Sequence, residues 1–319
     1  MLCILNNNTD PYFNIAAEDY LLKNSGEDIF MLYRNEPSII VGKHQNTFAE
    51  INYKFVKENK IKIVRRLSGG GTVFHDLGNV NFTFIQNGKE GTLIDFVKFT
   101  EPVIHTLNLM GVHATRSGRN DILVEGLKIS GNAEHIYKTR TLHHGTLLFS
   151  SKLDVLKNGL KTNPENFSDK AVKSVRSPVT NISNYLKDYS IDTFIQKVQS
   201  SVLEFFPKTD FHTFNDSETE IINNLVNQKY ATWEWNFGYS PKFKVITQGI
   251  IKEIFVSLFL EVDKGIITLI QCKEPEILIP DYIINLTGLP YNDEIILKKL
   301  SDFLKPDELN DWLHLLFML

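Results

Sequence analysis

The sequence predicts a mixed α/β protein of the α+β type, with a large N-terminal domain over residues 1–240 and a small α+β accessory domain over 241–319. Three observations predict this. Short runs of strand character recur between helical runs through the first 240 residues. A triple-glycine loop, Gly69-Gly70-Gly71, joins one such strand run to another strand run and not to a helix. Near Pro241 the texture changes to a hairpin with its own register, followed by two terminal helices.

Taken in order, Met1-Leu2-Cys3-Ile4-Leu5 reads as an opening strand and Asn6 to Asp10 as a turn. Asp10-Pro11 supplies an N-cap followed by proline at the first helical position. The helix runs to about Lys23, with Phe13, Ala16, Ala17, Tyr20 and Leu21 at helical spacing. Ile29 to Tyr33 and Ser38 to Val41 are two strands across the turn Arg34-Asn35-Glu36-Pro37. Gly42-Lys43-His44-Gln45-Asn46 reads as a solvated connector, and Ile61 to Val64 as a further strand. Val80 to Ile85 places Val80, Phe82 and Phe84 on one face and polar residues on the other. A helix is expected from Thr92 to Met110, divided or kinked at Pro102.

Glu125-Gly126 is a hairpin tip between two short strands. That register sets Val124 opposite Leu127, Leu123 opposite Lys128 and Asp121 opposite Ser130, so that Asp121, Leu123, Lys128 and Ser130 share a face. Leu142 to Ser150 is a strand whose His143 and His144 point to opposite faces. Leu153 to Asp188 reads as helix fragments and loops, including the proline-marked connector Val175 to Ile182. Amphipathic helices follow at Ile191 to Phe206 and Glu218 to Lys229, then a packed aromatic corner at Trp233 to Gly238. In the accessory domain Gly249 to Val262 alternates as one strand, Asp263-Lys264-Gly265 turns, and Ile266 to Cys272 is the second strand. Helices start at Tyr291 and Pro306.

Composition narrows the class. At 319 residues, with 42% hydrophobic and 23% charged residues, the chain is an ordinary globular one. A formal net charge of -4 argues against a nucleic-acid surface. Only Cys3 and Cys272 are present, which gives neither a disulfide framework nor zinc spacing and fits a reducing, cytoplasmic compartment. No run is apolar enough to span a bilayer, so no membrane partner is expected.

The chemistry concentrates in two clusters. Arg65-Arg66-Leu67-Ser68-Gly69-Gly70-Gly71-Thr72-Val73-Phe74-His75-Asp76-Leu77-Gly78-Asn79 sets glycines between guanidinium groups and a histidine and aspartate. Glycine permits positive φ and close backbone approach, and guanidinium suits carboxylate or phosphate, so the loop reads as a cradle for a small anionic molecule. It is neither a P-loop, for want of Gly-Lys-Ser/Thr, nor a dinucleotide fingerprint, because no helix follows. The second cluster is the hairpin, where Asp121, Lys128 and Ser130 converge between Gly118, Asn120, Gly131 and Asn132. The adjacent histidines lack a ligand partner at metal spacing, which excludes zinc there.

With these residues in view, the chain resembles the lipoate–protein ligase A family along nearly its whole length. The matching blocks are Arg65 to Asn79, Ser117 to Asp121, Lys128 to Ala133, His143 to Leu148, Ser174 to Asn181 and Trp233 to Pro241. The resemblance implies a catalytic domain of the biotin/lipoate ligase kind and an ATP-dependent, AMP-forming lipoate–protein ligase. Such an enzyme makes lipoyl-AMP and then lipoylates a lysine of a lipoyl domain, on a 2-oxoacid dehydrogenase E2 subunit or the glycine-cleavage H protein.

By the same resemblance Lys128 is the catalytic lysine. Arg66 and the backbone of Gly71, Thr72, Val73 and Phe74 hold the adenylate, and Ser68, Gly69, Gly70, His75, Ala133 and His144 border the lipoyl group. Asp121 holds Mg²⁺; Asn79 and Asn120 support. ATP, Mg²⁺ and lipoate are the expected small molecules, a monomer is the expected state, and a hinge is expected near Pro241 to Val245. The alternatives are an ATP-independent lipoyl or octanoyl transferase, which needs a cysteine nucleophile, and a non-catalytic lipoyl-domain binder. Thr141 stands three residues before His144 and neither cysteine lies in a matching block, which argues against the transferase.

Overall fold

The computed structural model describes residues 1–88, 95–118, 120–160, 164–274 and 279–317. The start of the expected helix at Thr92 and Arg119 of the second matching block lie outside them. The chain forms fifteen strands and ten α-helices among the described residues. They are β1 (Leu2–Asn6), α1 (Pro11–Asn24), β2 (Ile29–Tyr33), β3 (Ser38–Val41), α2 (Thr47–Glu50), α3 (Tyr53–Glu58), β4 (Lys62–Arg65) and β5 (Val73–His75). Next come β6 (Asn79–Asn87), α4 (Phe96–Leu109), β7 (Ala114–Ser117), β8 (Asp121–Val124), β9 (Leu127–Tyr137), β10 (Arg140–Leu148), α5 (Leu153–Gly159) and β11 (Phe167–Asp169). The remainder are α6 (Ile191–Glu204), β12 (Asp210–Phe211), α7 (Asp216–Leu225), β13 (Phe243–Ile251), β14 (Ile254–Asp263), β15 (Ile266–Glu274), α8 (Asp281–Ile284), α9 (Asp293–Leu300) and α10 (Pro306–Phe317).

Two compact units divide the chain. The first comprises 1–43, 62–156 and 175–231, and carries an eight-stranded mixed sheet in the order β12-β1-β2-β6-β10-β9-β8-β7. β1 runs parallel to both β12 and β2, and every other neighbour is antiparallel. A second sheet, β4-β3-β5, has β5 at its edge. The stretch Val73 to His75, expected as loop, is thus a short strand paired with Ser38 to Ile40.

The periodicity of β6 explains the layering. Phe82 and Phe84 pack with Phe30, Phe99, Val103, Leu107, Phe194, Val198 and Val202 in the core beneath α4 and α6. Thr83, on the opposite face, hydrogen bonds Glu18 of α1. The polar face of β6 is therefore buried as well, with Asn79, Asn81 and Thr83 all shielded from solvent. Helix α1 begins as its sequence dictates, the Asp10 carboxylate accepting from the Tyr12 N–H at 2.8 Å with Pro11 at the first position. α4 accommodates Pro102 without being divided.

The second unit comprises 44–61, 157–174 and 232–319. Its antiparallel sheet runs β11-β13-β14-β15. Phe48, Tyr53, Phe243, Tyr291 and Phe317 form its aromatic core, with Phe48–Tyr291 and Tyr291–Phe317 centroids 4.8 and 4.6 Å apart. The alternating run from Gly249 to Val262 is not one strand: it turns at Lys252-Glu253, both in the left-handed region at φ 48° and 68°. Residues 243–245, expected as a hinge, are held in β13 between β11 and β14.

Candidate active site

Arg66 is the organiser of the glycine loop. Its Nε donates to Ser68 Oγ (2.9 Å), Nη1 to the Ile40 carbonyl (3.1 Å), and Nη2 to the carbonyls of Gly69 (2.6 Å) and Gly71 (2.8 Å). The guanidinium is buried, and desolvation pulls its pKa down to about 10 against the opposing pull of Glu18. Arg66 thus braces its own loop through the carbonyls of Gly69 and Gly71. Gly70 crosses at φ 88°, where a side chain is strained. A Cβ there would stand 3.1 Å from Arg66 Nη2 and 4.0 Å from the Ala133 methyl, so the loop tip lies against β9.

From Ser68 a chain of hydrogen bonds crosses the unit. Ser68 Oγ lies 2.6 Å from His144 Nε2, and His144 Nδ1 lies 2.8 Å from Glu18 Oε2. The Tyr33 hydroxyl (3.0 Å) and the Thr83 hydroxyl donate to Glu18 Oε1. Nothing in the sequence singles out Glu18, because α1 is buried on nearly every side and shows no polar face. Its one visible signal is the i, i+4 pair Asn14 and Glu18, two polar residues on one side of a buried helix. His143 points to the other sheet face, with Nδ1 2.8 Å from Glu134 and its ring stacked on Phe99 at 4.9 Å.

The second cluster forms at the β8–β9 hairpin. Lys128 Nζ is 2.8 Å from Asp121 Oδ1, and both side chains keep about a fifth of their exposure (21% and 22%). The expected pairing of Leu123 with Lys128 is present, but a bulge follows. It sets Ser130 opposite Ile122 and Asp121 opposite Gly131, so Ser130 is buried and accepts from Asn132 Nδ2, away from the pair. An extra residue in one strand reverses the facing of all that follow it, which alternation alone does not reveal.

Gly131 lies under the Lys128 arm, where a Cβ would come 3.1 Å from both Cε and Nζ. The connector at 178–180 clamps the same residue: Lys128 N–H donates to the Pro178 carbonyl (2.9 Å), and Thr180 N–H donates to the Lys128 carbonyl (3.0 Å). Asn120 and Asn132 are tied by reciprocal side-chain to main-chain bonds of 3.1 and 3.0 Å.

The remaining expected residues are structural where the geometry places them. Asn79 Nδ2 donates to Asn81, and Asp76 accepts from the Gly78 and Lys152 N–H groups. Gly78 approaches the Ser150 carbonyl so closely that a Cβ would stand 2.2 Å from its oxygen. Phe74 is buried, leaving the backbone of edge strand β5 as the part that faces outward from its sheet. Among the described residues no group of three His, Cys, Asp or Glu side chains is arranged to hold a metal. Asp121 offers a hard carboxylate oxygen beside Lys128, which suits a cation that arrives with its own oxygen ligands.

Together these features provide an anchored cation, a neighbouring carboxylate and a tightly turned glycine backbone on one sheet face. Such an arrangement can bring two anionic groups together. A family model described as the lipoyl protein ligase A/B catalytic domain matches residues 10–203. Lipoate–protein ligase 1 of Staphylococcus aureus is 43% identical over 83% of this chain and 82% of its own length. The lipoate–protein ligase LplJ of Bacillus subtilis is 43% identical over 86% and 84%.

Among solved structures, a lipoate–protein ligase A bound with ATP is similar at TM-score 0.64 and 26% identity, covering 74% of this chain and 98% of its own. The Plasmodium falciparum LipL1 in complex with lipoate covers 100% of this chain and 99% of its own at TM-score 0.65 and 25% identity. A bi-partite ligase from Thermoplasma acidophilum, described with its E2 lipoyl domain, covers 74% and 96% at 0.64 and 26%.

Proposed function

Because the chain belongs to the lipoyl protein ligase A/B family, we propose that it is an ATP-dependent lipoate–protein ligase. A lipoate carboxylate oxygen attacks the α-phosphorus of ATP, giving lipoyl-AMP and pyrophosphate. The ε-amine of an acceptor lysine then attacks the acyl carbon, AMP leaves, and the amine gives up a proton. The acceptors are apo lipoyl domains of 2-oxoacid dehydrogenase E2 subunits or the glycine-cleavage H protein, a reading supported by the ligase described with its E2 lipoyl domain.

The observation that carries this reading is Lys128, a partly exposed ammonium held by Asp121, Gly131 and the 178–180 clamp. Fixed in that way, it stabilises negative charge shared between carboxylate and phosphate without reorganising. The N–H groups of Gly71, Thr72, Val73 and Phe74 hold the nucleotide together with Arg66, which also braces that loop. Ser68, Gly69, Gly70, His75, Ala133 and His144 border the lipoyl chain. Asn120 supports Asp121, whose carboxylate suits the Mg²⁺ that accompanies the triphosphate and neutralises its charge. Residues 1–240 carry both half-reactions, and 241–319 form an accessory domain.

A cytoplasmic monomer is part of this reading; no described helix is long and apolar enough to cross a membrane. Two observations count against thioester chemistry: Cys3 is buried in the core, where burial pushes its thiol pKa up, and Cys272 lies outside every matching block.

The test is the intact mass of an apo lipoyl domain incubated with the chain, lipoate, ATP and Mg²⁺. A gain of one lipoyl group, dependent on ATP and lost in Lys128→Ala, is expected. No gain with ATP but a gain from preformed lipoyl-AMP would confine the enzyme to transfer.

A further inference from the structure

His75 ends a buried line of amides. Asn14 Nδ2 donates to the main-chain oxygens of Asn8 (2.9 Å) and Arg34 (3.2 Å) and to Asn35 Oδ1 (2.8 Å). Main-chain oxygens only accept, so the Asn14 amide has one orientation and Asn35 Oδ1 is an acceptor. Asn35 Nδ2, 2.9 Å from His75 Nδ1, is therefore the donor, and Nδ1 offers its lone pair. The ring hydrogen is left on Nε2. That atom is buried and has no hydrogen-bond partner.

Asn14 and Asn35 are fully buried and His75 is 4% exposed, so the line is dry and its tautomer locked. Burial, then Arg66 and His144, lower the His75 pKa to about 3, which keeps the ring neutral. A native protein rarely leaves a buried donor without an acceptor, and at a ligand site the ligand is one group that can supply it.

The position says which part of the ligand. The Lys128 ammonium stands over Gly131, and Ala133 lies roughly 7 Å further along β9 at about 3.3 Å per residue, where it pairs with His144. His144 is near enough to lower the basicity of His75. A chain whose carboxylate meets Lys128 therefore brings its distal end toward His75.

We propose that the His75 Nε2–H selects acyl chains with a weak acceptor at the distal end, the dithiolane sulfurs of lipoate, over a plain alkyl end such as that of octanoate. Asn35 acts as the positioning residue that fixes the tautomer. The proposal rests on the lipoate reading of the site. A sulfur satisfies the orphaned N–H, whereas an alkyl end leaves it unpaired.

The experiment compares lipoate with octanoate in competition, using the full chain, ATP, Mg²⁺ and an apo lipoyl domain, with products resolved by intact mass. A preference for lipoate is expected, falling roughly threefold to tenfold in His75→Leu. His75→Gln, whose amide restores an N–H near the same place, is expected to retain most of it. Asn35→Asp calls the ring hydrogen to Nδ1 and, assayed at about pH 8 where a histidine beside a carboxylate is neutral, is expected to lose the preference with His75 still present, which separates donor placement from general destabilisation.

An unchanged preference in folded, active His75→Leu and Asn35→Asp proteins overturns the proposal; if the leucine variant fails to fold, Asn35→Asp decides alone. Calorimetric binding of the two free acids reads the same ratio without ATP or acceptor. Absent turnover with preferential lipoate binding therefore counts against the ligase reading only, and equal affinities in the parent chain overturn the selectivity.

Discussion

Gly131 helps to fix where the Lys128 ammonium stands, because a methyl there would press on the end of the lysine arm at 3.1 Å. Gly131→Ala is expected to displace Nζ by a fraction of an ångström and to slow lipoyl transfer by less than the roughly 100-fold that a misplacement of about 1 Å costs. Thermal unfolding should move little, and a transfer rate equal to the parent's would show that the arm has a second productive position. Glu18 has the opposite balance. It accepts from His144, Tyr33 and Thr83 beside the buried Arg66, so Glu18→Ala strands three donors and a cation. A loss of about 3 kcal/mol or more is expected in urea unfolding. Of these two residues, Gly131 was visible in the sequence as part of a Gly- and Asn-rich hairpin, while nothing in the apolar pattern of α1 separated Glu18 from its neighbours.

At the scale of elements, period and capping were sufficient wherever one face is apolar and the ends carry turn residues. The starts of α1, α6 and α9 follow from Asp10, Ser190 and Asn292, whose side chains accept from their first-turn N–H groups. The β13–β14 turn escaped because Lys252-Glu253 carries no glycine or asparagine, although both residues take positive φ. Glu253→Gly should remove the strain of a left-handed L-residue and raise stability by about 1 kcal/mol in the same urea assay. The bulge between β8 and β9 escaped for a related reason: alternation reports facing only where strands pair one to one.

The whole molecule holds several histidines neutral. Burial lowers His75 to about 3 and His135 to about 4, and also lowers His143. A histidine near its ordinary value of about 6.5 in the unfolded chain takes up protons that these folded sites refuse. Below about 6.5 the unfolded state therefore binds more protons, so stability falls as pH drops and continues to fall toward the folded pKa values. The urea midpoint should decline steadily from pH 7 to pH 4, and less steeply in His75→Gln. A midpoint independent of pH over that range would show these rings to be protonated in the fold.

What the sequence determined by itself is local: which runs are helix or strand, where glycines bend the loop, and that Arg66, His75, Asp121, Lys128 and His144 belong to motif blocks. The joining of Lys128 to Asp121 was legible too, because a two-residue tip fixes pairing close to it. Only the tertiary structure decided that Arg66 braces its own loop, that Ser68, His144 and Glu18 form one line, and that Asn14 and Asn35 set the His75 tautomer. Each of those contacts joins different elements, mostly across buried polar faces. Hydrophobic periodicity records which side of an element leaves water, but not which polar groups meet there, since that depends on sheet order and on hydrogen-bond partners distant in the chain.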